Sequence, residues 1–152
     1  MLGYSEAFSL AGEIAIITGG GTGIGLGAAR AFIAAGARVV LVGRRADVLE
    51  SACNELGGGA SYETHDVTHT ERAPELIDRV IRHVGPPAIL VNNAGVHLKK
   101  AAVETTEDEF NHVMTTHVTA AFALSRAAAR AMRERGGGNL LFMASMASFM
   151  GI

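Results

Sequence analysis

Thr18-Gly19-Gly20-Gly21-Thr22-Gly23-Ile24-Gly25 begins on the last residue of the apolar run Ile14 to Thr18, which reads as the first strand, and leads into Ile24 to Ala35, where apolar residues recur at helical spacing. A strand that runs through glycines into a helix is the layout of a phosphate cradle. Glycines permit the tight turn and let a pyrophosphate approach the backbone, and unpaired N–H groups at the helix N-terminus face the anion. Glycines that only make a turn are the alternative; the placement between strand and helix favours the cradle.

Working outward, Gly36 stops the first helix, Val39 to Val42 reads as a second strand, and Ala46 to Leu56 as a helix closed by Gly57-Gly58-Gly59. Ser61 to His65 reads as a weaker third strand and Glu71 to Val84 as a helix. After Pro86-Pro87, Ala88 to Val91 reads as a fourth strand; one long helix, Glu107 to Arg135, ends at Gly136-Gly137-Gly138; and Asn139 to Ala144 reads as a fifth strand. This alternation predicts a doubly wound α/β fold, a parallel sheet covered by helices on both faces, because parallel strands need crossover connections. No repeat or linker divides the chain, so residues 1–152 are expected to form a single dinucleotide-binding Rossmann-like domain.

Composition excludes several classes. A net charge of −2 with scattered charges builds no positive field for a phosphate backbone, so no nucleic-acid partner is expected. No apolar run reaches the ~20 residues of a bilayer span, and the N-terminal MLGYSEAFSL, with Glu6, does not read as a secretory signal. A soluble, cytoplasmic protein without a membrane partner is expected. The single Cys53 has no disulfide partner and reads as a small residue on a helix. Nineteen glycines, two tyrosines and no tryptophan suit a fold of tight turns and close backbone approaches.

The glycine spacing TGxxxGxG resembles the signature of the short-chain dehydrogenase/reductase family, and further matches lie in order downstream: His65-Asp66-Val67, Asn92-Asn93-Ala94-Gly95 and Ala144-Ser145. The resemblance covers the chain from Leu10 to its end. It implies that Thr18, Gly19, Gly21, Thr22, Gly23, Ile24 and Gly25 cradle a dinucleotide and that Asp66 and Val67 lie beside the adenine, with Asn93, Ala94 and Gly95 completing the cofactor site. Each position also makes physical sense, because parallel strands present their C-terminal ends to a common crevice. Asp66 can accept a hydrogen bond from an adenine amino group or cap the helix that follows it. Asn93 can tie the central strands together through backbone hydrogen bonds.

At the end of the second strand, an acidic residue would bind the ribose 2′-hydroxyl of NAD, whereas arginine would meet the 2′-phosphate of NADP. Gly43 stands at that position, and Arg44-Arg45 follow, so NADP is expected, with NAD the alternative. Solvated arginines at a helix start are the bland reading, and the helix dipole disfavours cations there. Thr22 departs from those NADP-preferring members that carry a basic residue in the glycine loop.

The resemblance also implies a catalytic set in which a serine polarises a carbonyl, a tyrosine and a lysine handle the proton, and an asparagine on the long helix supports a proton-relay water. Ser145 matches the serine, and His117 occupies the asparagine position. Histidine can relay a proton or merely pack. Neither Tyr4 nor Tyr62 is followed by lysine at the YxxxK spacing, and the family places that pair shortly beyond Ile152. The chain is therefore expected to be truncated from a longer enzyme, with its fifth strand an unprotected edge, and to be inactive and poorly stable alone.

The activity implied is hydride transfer between nicotinamide and a small carbonyl or secondary-alcohol substrate. Ala144 to Gly151, ASMASFMG, resembles the sugar-acid dehydrogenase branch, and the 3-oxoacyl-carrier-protein reductase type is the nearby alternative. A nucleotide-binding protein without turnover and an inactive fragment are the rival readings. The histidines at 65, 69, 83, 97, 112 and 117 form no metal pattern such as HExxH, and no metal is expected. Met143, Met146 and Met150 read as core filling or pocket lining. The alanine-rich stretch from Ala120 to Ala131 suits a close helix–helix contact, and the family commonly dimerises through this helix, so a homo-oligomer, dimer or tetramer, is expected by resemblance.

Overall fold

Ile14 and Ile16 point to one side of the sheet, Ala15 and Ile17 to the other, and all four are buried because helices cover both faces. This is why β1 (Ile14–Thr18) reads as a continuous apolar run. The computed structural model describes residues 8–150. The N-terminal stretch weighed as a secretory signal lies, for residues 1–7, outside the described residues, as does the end of the Ala144–Gly151 string.

The order of elements is β1, α1 (Gly23–Ala34), β2 (Arg38–Gly43), α2 (Ala46–Leu56), β3 (Ala60–Thr64), α3 (Ala73–His83), β4 (Ile89–Asn92), α4 (Glu107–Met114), α5 (Ala120–Glu134) and β5 (Asn139–Phe142). All five strands are parallel, in the order β3-β2-β1-β4-β5. The chain builds outward from β1 to β3, then crosses to β4 on the other side, so the strand order reverses between β1 and β4. At such a reversal the loops after two neighbouring strands diverge and leave a crevice. Ala29 of α1 with Leu49 and Ala52 of α2 packs on Ala15, Ile17, Val39 and Leu41. Leu76, Ile77 and Val80 of α3 and Ala123, Leu124 and Ala128 of α5 pack on Ile14, Ile16, Val40 and Leu90. Each fully buried isoleucine or leucine contributes about 2–3 kcal/mol of apolar transfer free energy.

Several boundaries differ from the sequence expectation. The long helix is two helices joined by one π turn, Thr115–Thr119, in which Thr116 donates its hydroxyl to the His112 carbonyl at 2.8 Å. One extra residue per turn leaves the apolar period on either side intact, so periodicity does not reveal it. The helix expected from Glu71 starts as a 3₁₀ turn, Thr70–Arg72, and becomes α-helical at Ala73, with Pro74 in the first turn, where no N–H is needed. The fifth strand ends at Phe142, two residues early: Met143 still donates its N–H to Asn92, the last residue of β4, and beyond it there is no strand partner to pair with.

The alanine-rich stretch is also placed differently. Ala120, Ala123, Ala128 and Ala131 are buried within the chain, where small residues let α5 lie close to the sheet and α3, so they are not available to an external helix. The outward face carries Phe110, Met114, Val118 and Phe122 at four-residue spacing. Met143, Met146 and Met150 are exposed and do not fill the core. β5 is an edge strand exposed at all four residues.

At the other edge, β3 is fastened to α3 by charge. Glu63 accepts from Arg79 Nε at 2.8 Å and meets His83 Nδ1 at 2.8 Å. Burial pushes the Glu63 carboxyl up, but hydrogen bonds and charge from Arg79 and His83 outweigh it and hold the carboxyl below its ordinary value. A lowered carboxylate stabilises the fold above its unfolded-state pKa and stops doing so as pH falls through the folded-state value. Glu63→Gln is therefore expected to lower the melting temperature at neutral pH and to flatten its decline between about pH 5 and 3, measured by circular dichroism.

Candidate functional site

The crevice at the strand-order reversal is assembled by one buried hydroxyl. Thr18, 1% exposed, donates its hydroxyl to the Val91 carbonyl at 3.2 Å and accepts from the N–H groups of Asn93 and Ala94, each at 3.0 Å. Asn93 answers from the other side, donating its amide to the carbonyls of Thr18 at 2.9 Å and Gly19 at 3.3 Å. The loops after β1 and β4 thus form one unit.

Two glycines of the first loop are dictated by that unit. Gly19 has φ +64°, a left-handed conformation, and a Cβ there would lie 3.0 Å from Asn93 Nδ2. A Cβ on Gly25 would stand 2.4 Å from the Gly19 carbonyl oxygen, so α1 can approach the loop only with glycine there. Thr22 occupies the N-cap of α1 with extended backbone, but its side chain caps nothing and the first turn holds no acidic residue. The first N–H groups of the helix stay open toward the crevice, beside the side-chain-free Gly19 and Gly21.

A cleft of about 200 Å³ runs from this loop across the ends of β2 and β3 to the loop after β4. Gly19, Gly21, Thr22, Arg44 and Arg45 line one part of it, and Asp66, Val67, Ala94 and Gly95 the rest. Gly23, Ile24, Gly25 and Asn93 stand behind or beside the wall, and Ile24 is exposed. Arg44 and Arg45 follow Gly43 at the end of β2, and Arg44 Nη1 lies 3.9 Å from Asp66 Oδ2. Asp66 Oδ1 accepts from the Thr68 N–H at 3.0 Å and hydroxyl at 2.8 Å, so its side chain caps the local turn rather than α3. Burial raises the Asp66 carboxyl, but the Thr68 bonds and the Arg44 charge prevail and keep it below its ordinary value.

Sequence reasoning gave no place in the cofactor site to His65, Thr68, Val96, His112 and Thr116, which also line the cleft. His65 is 7% exposed with no partner for its Nε2. Burial, followed by the Arg79 and Arg72 charges, holds its pKa below the ordinary histidine value, so the ring is neutral at pH 7. The available signal was spacing: His65 lies two residues past Glu63, on the same face of β3, and the strand ladder continues through its N–H to the Gly43 carbonyl at 2.8 Å.

The two residues expected to carry chemistry are not in this cleft. His117 sits on the π turn and lines a smaller adjoining cavity of about 40 Å³ with Asn92, Phe142 and Met143. Ser145 is exposed and accepts from the Ala147 N–H at 3.1 Å, capping a 3₁₀ turn, Met146–Ser148. Among the described residues, no three His, Cys, Asp or Glu side chains stand together as metal ligands, and no helix is long and apolar enough to cross a membrane.

Comparison with known proteins agrees with this geometry. The sequence profile described as short chain dehydrogenase matches residues 13–152. The chain is 34% identical over 145 residues to an NADP-dependent (R)-specific alcohol dehydrogenase of Lentilactobacillus kefiri, covering 93% of this chain and 58% of that protein. It is 41% identical over 144 residues to a galactitol 2-dehydrogenase (L-tagatose-forming) of Cereibacter sphaeroides, covering 94% and 56%. A gluconate 5-dehydrogenase of Gluconobacter oxydans is 35% identical over 150 residues, covering 97% and 59%. A crystal structure of a short-chain type dehydrogenase/reductase from Mycobacterium marinum superposes with a TM-score of 0.90 at 35% identity, covering 95% of this chain and 60% of that one. The chain thus spans under two thirds of the length of these relatives.

Proposed function

The chain belongs to the short chain dehydrogenase family, and on that premise we propose that it is the dinucleotide-binding part of an NADP-dependent oxidoreductase acting on a small carbonyl or secondary-alcohol substrate. The observation that carries the cofactor reading is the run of side-chain-free residues Gly19, Gly20 and Gly21 beside the open N–H groups at the start of α1, with two arginines and no acidic residue at the end of β2. In this reading the α1 N-terminus with Gly19, Gly21 and Thr22 holds the pyrophosphate. Arg44 and Arg45 hold a 2′-phosphate, and Asp66 and Val67 flank the adenine. Ala94 and Gly95 leave room for the nicotinamide half. Bound NADP supplies or accepts the hydride.

The steric test supports the fit. Gly19, Gly21 and Gly25 each meet protein atoms at 3.1 Å or closer when a Cβ is added, so side chains there would fill the cradle or force it apart. Ser145, carried over by resemblance, orients the substrate carbonyl. For substrate class we favour polyols and sugar acids, supported by the galactitol and gluconate dehydrogenases among the relatives. The kefiri enzyme's name supports NADP. The same reading takes the protein as cytoplasmic and homo-oligomeric, with the exposed stripe Phe110, Met114, Val118 and Phe122 as the contact face.

The test uses protein expressed from its complete reading frame. Calorimetric titration is expected to give micromolar binding of NADPH and at least tenfold weaker binding of NADH, and NADP reduction is expected with a polyol or aldonate panel. Binding without oxidation of any alcohol or reduction of any carbonyl would favour the nucleotide-binding reading. No binding of either dinucleotide would overturn the proposal.

A further inference from the structure

His65 stands one residue past β3, and its ring is a buried polar group that the proposed cofactor chemistry does not use. Its backbone N–H extends the strand ladder to the Gly43 carbonyl at 2.8 Å, and the residue lines the cleft directly before Asp66 and Val67. Only 7% of it is exposed, yet Nε2 meets no hydrogen-bond partner. A neutral imidazole carries one N–H and one lone pair, whereas the protonated ring carries two N–H groups and a charge. Protonation in this seat would make Nε2 a charged donor buried without an acceptor, which is costly.

The carboxylates around the ring are already engaged. On β3, Glu63 is held by Arg79 and His83; from α3, Glu75 is held by Arg72 and Arg79. Asp66 gives Oδ1 to Thr68 and has Oδ2 3.9 Å from Arg44. Arg72, Arg79 and His69 oppose a positive charge on the ring and Asp66 favours it; burial, followed by the two arginines, prevails and holds the pKa below the ordinary histidine value. From α4, His112 lines the same cleft. The segment after His65 is closely linked. Thr68 bonds Asp66 Oδ1, the His69 N–H donates to the Asp66 carbonyl at 3.1 Å, and the Arg72 N–H donates to the His69 carbonyl at 3.0 Å. A ring that leaves its seat for water therefore carries the Asp66–Val67 wall with it.

We propose that His65 is a proton-sensitive element of the cleft: the neutral ring supports the Asp66–Val67 wall, and the protonated ring leaves its seat and displaces that wall, so acid weakens NAD and NADP binding alike. This rests on the cofactor reading above and adds regulation to it. The sign follows from linkage. A histidine whose pKa is lowered in the intact cleft favours that cleft above the ordinary value of about 6.5 and ceases to do so as pH falls through the lowered value. In that window, binding that requires the neutral ring releases a proton.

The test uses protein expressed from its complete reading frame and the oxidised dinucleotides, which withstand acid. NAD is the deciding probe, because it lacks the 2′-phosphate, a group that itself titrates at about pH 6. Calorimetric titration of the wild type is expected to show NAD binding about fivefold weaker at about pH 5 than at about pH 7.5. Proton release on binding at the lower pH is read from two buffers of unlike ionisation heat. His65→Leu, which cannot titrate, is expected to bind NAD within about twofold at both pH values, whereas His69→Ala and His112→Ala keep the acid loss. Equal wild-type affinity at both pH values would overturn the proposal, as would an acid loss retained in His65→Leu or abolished in either other variant. Should His65→Leu fail to fold, wild-type binding without proton release at the lower pH would overturn it. If the wild type binds neither dinucleotide at neutral pH, the cofactor reading fails and amide hydrogen exchange at Thr68, normalised to Val91 within β4, decides the wall. Faster normalised exchange in acid supports its displacement, and an unchanged ratio overturns it.

Discussion

Replacing Thr18 with valine is expected to cost about 2–4 kcal/mol of stability and to weaken dinucleotide binding about tenfold. Valine has nearly the same shape, so packing at this 1%-exposed site is preserved and only the hydroxyl is lost. That hydroxyl has three partners: it donates to the Val91 carbonyl and accepts from the N–H groups of Asn93 and Ala94. Removing it leaves two donors and one acceptor at the junction of β1 and β4, and each orphaned buried group costs about 1–3 kcal/mol. The sum is moderated because Asn93 and Ala94 are only half-buried and can recruit water. Thr18→Ser, which keeps the hydroxyl and loses a methyl, is expected to lose no more than about 1.5 kcal/mol. Urea denaturation of the three proteins separates the cases: a loss for valine no larger than that for serine would show that the hydroxyl contributes no more than the methyl and would overturn this assignment.

The same junction shows why part of this site could be read in the sequence. Gly19 needs a positive φ and Gly25 a contact that no side chain permits, so glycine is the only solution and leaves a visible mark. Arg44, Asp66 and Ala94 converge because each follows the end of a parallel strand, a rule that needs only the strand assignments. Other features left no such mark. The π turn at Thr115–Thr119 adds one residue without disturbing the apolar period of α4 or α5, so a single long helix was the natural expectation. Alanines from Ala120 to Ala131 suit any close helix packing, and only the three-dimensional placement shows that α3 and the sheet already occupy them. Thr18 reads as the end of the first strand and the first residue of the dinucleotide cradle, whereas its hydroxyl is fully engaged within the framework. His65 is legible as the last residue of the third strand, whereas its place in the cleft wall follows only from how the strand ends converge in three dimensions.

The largest shift in ligand preference is expected from the triple change Gly43→Asp, Arg44→Ala and Arg45→Ala. Arginine bound to a phosphate makes charge-assisted hydrogen bonds worth about 1.5–3 kcal/mol each, and the lower end applies here because the Arg44 side chain is 66% exposed. Losing two such contacts, together with an aspartate facing the 2′-phosphate, is expected to lower NADPH affinity about 300-fold, equivalent to about 3.4 kcal/mol. Space is available for the aspartate: a Cβ at Gly43 would meet nothing nearer than Leu49 Cδ2 at 3.5 Å, an ordinary van der Waals contact. Its carboxylate can accept from the ribose hydroxyl of NADH, whose affinity is expected to rise about threefold. Arg44 also lies 3.9 Å from Asp66, so its removal alone could disturb the adenine side. Asp66 keeps both Thr68 bonds, however, and NADH affinity in Arg44→Ala is therefore expected to stay within about twofold of wild type. Fluorescence titration with both dinucleotides separates the possibilities: parallel losses for NADPH and NADH would mean that the arginines shape the cleft as a whole, and a loss confined to NADPH would assign them to the 2′-phosphate.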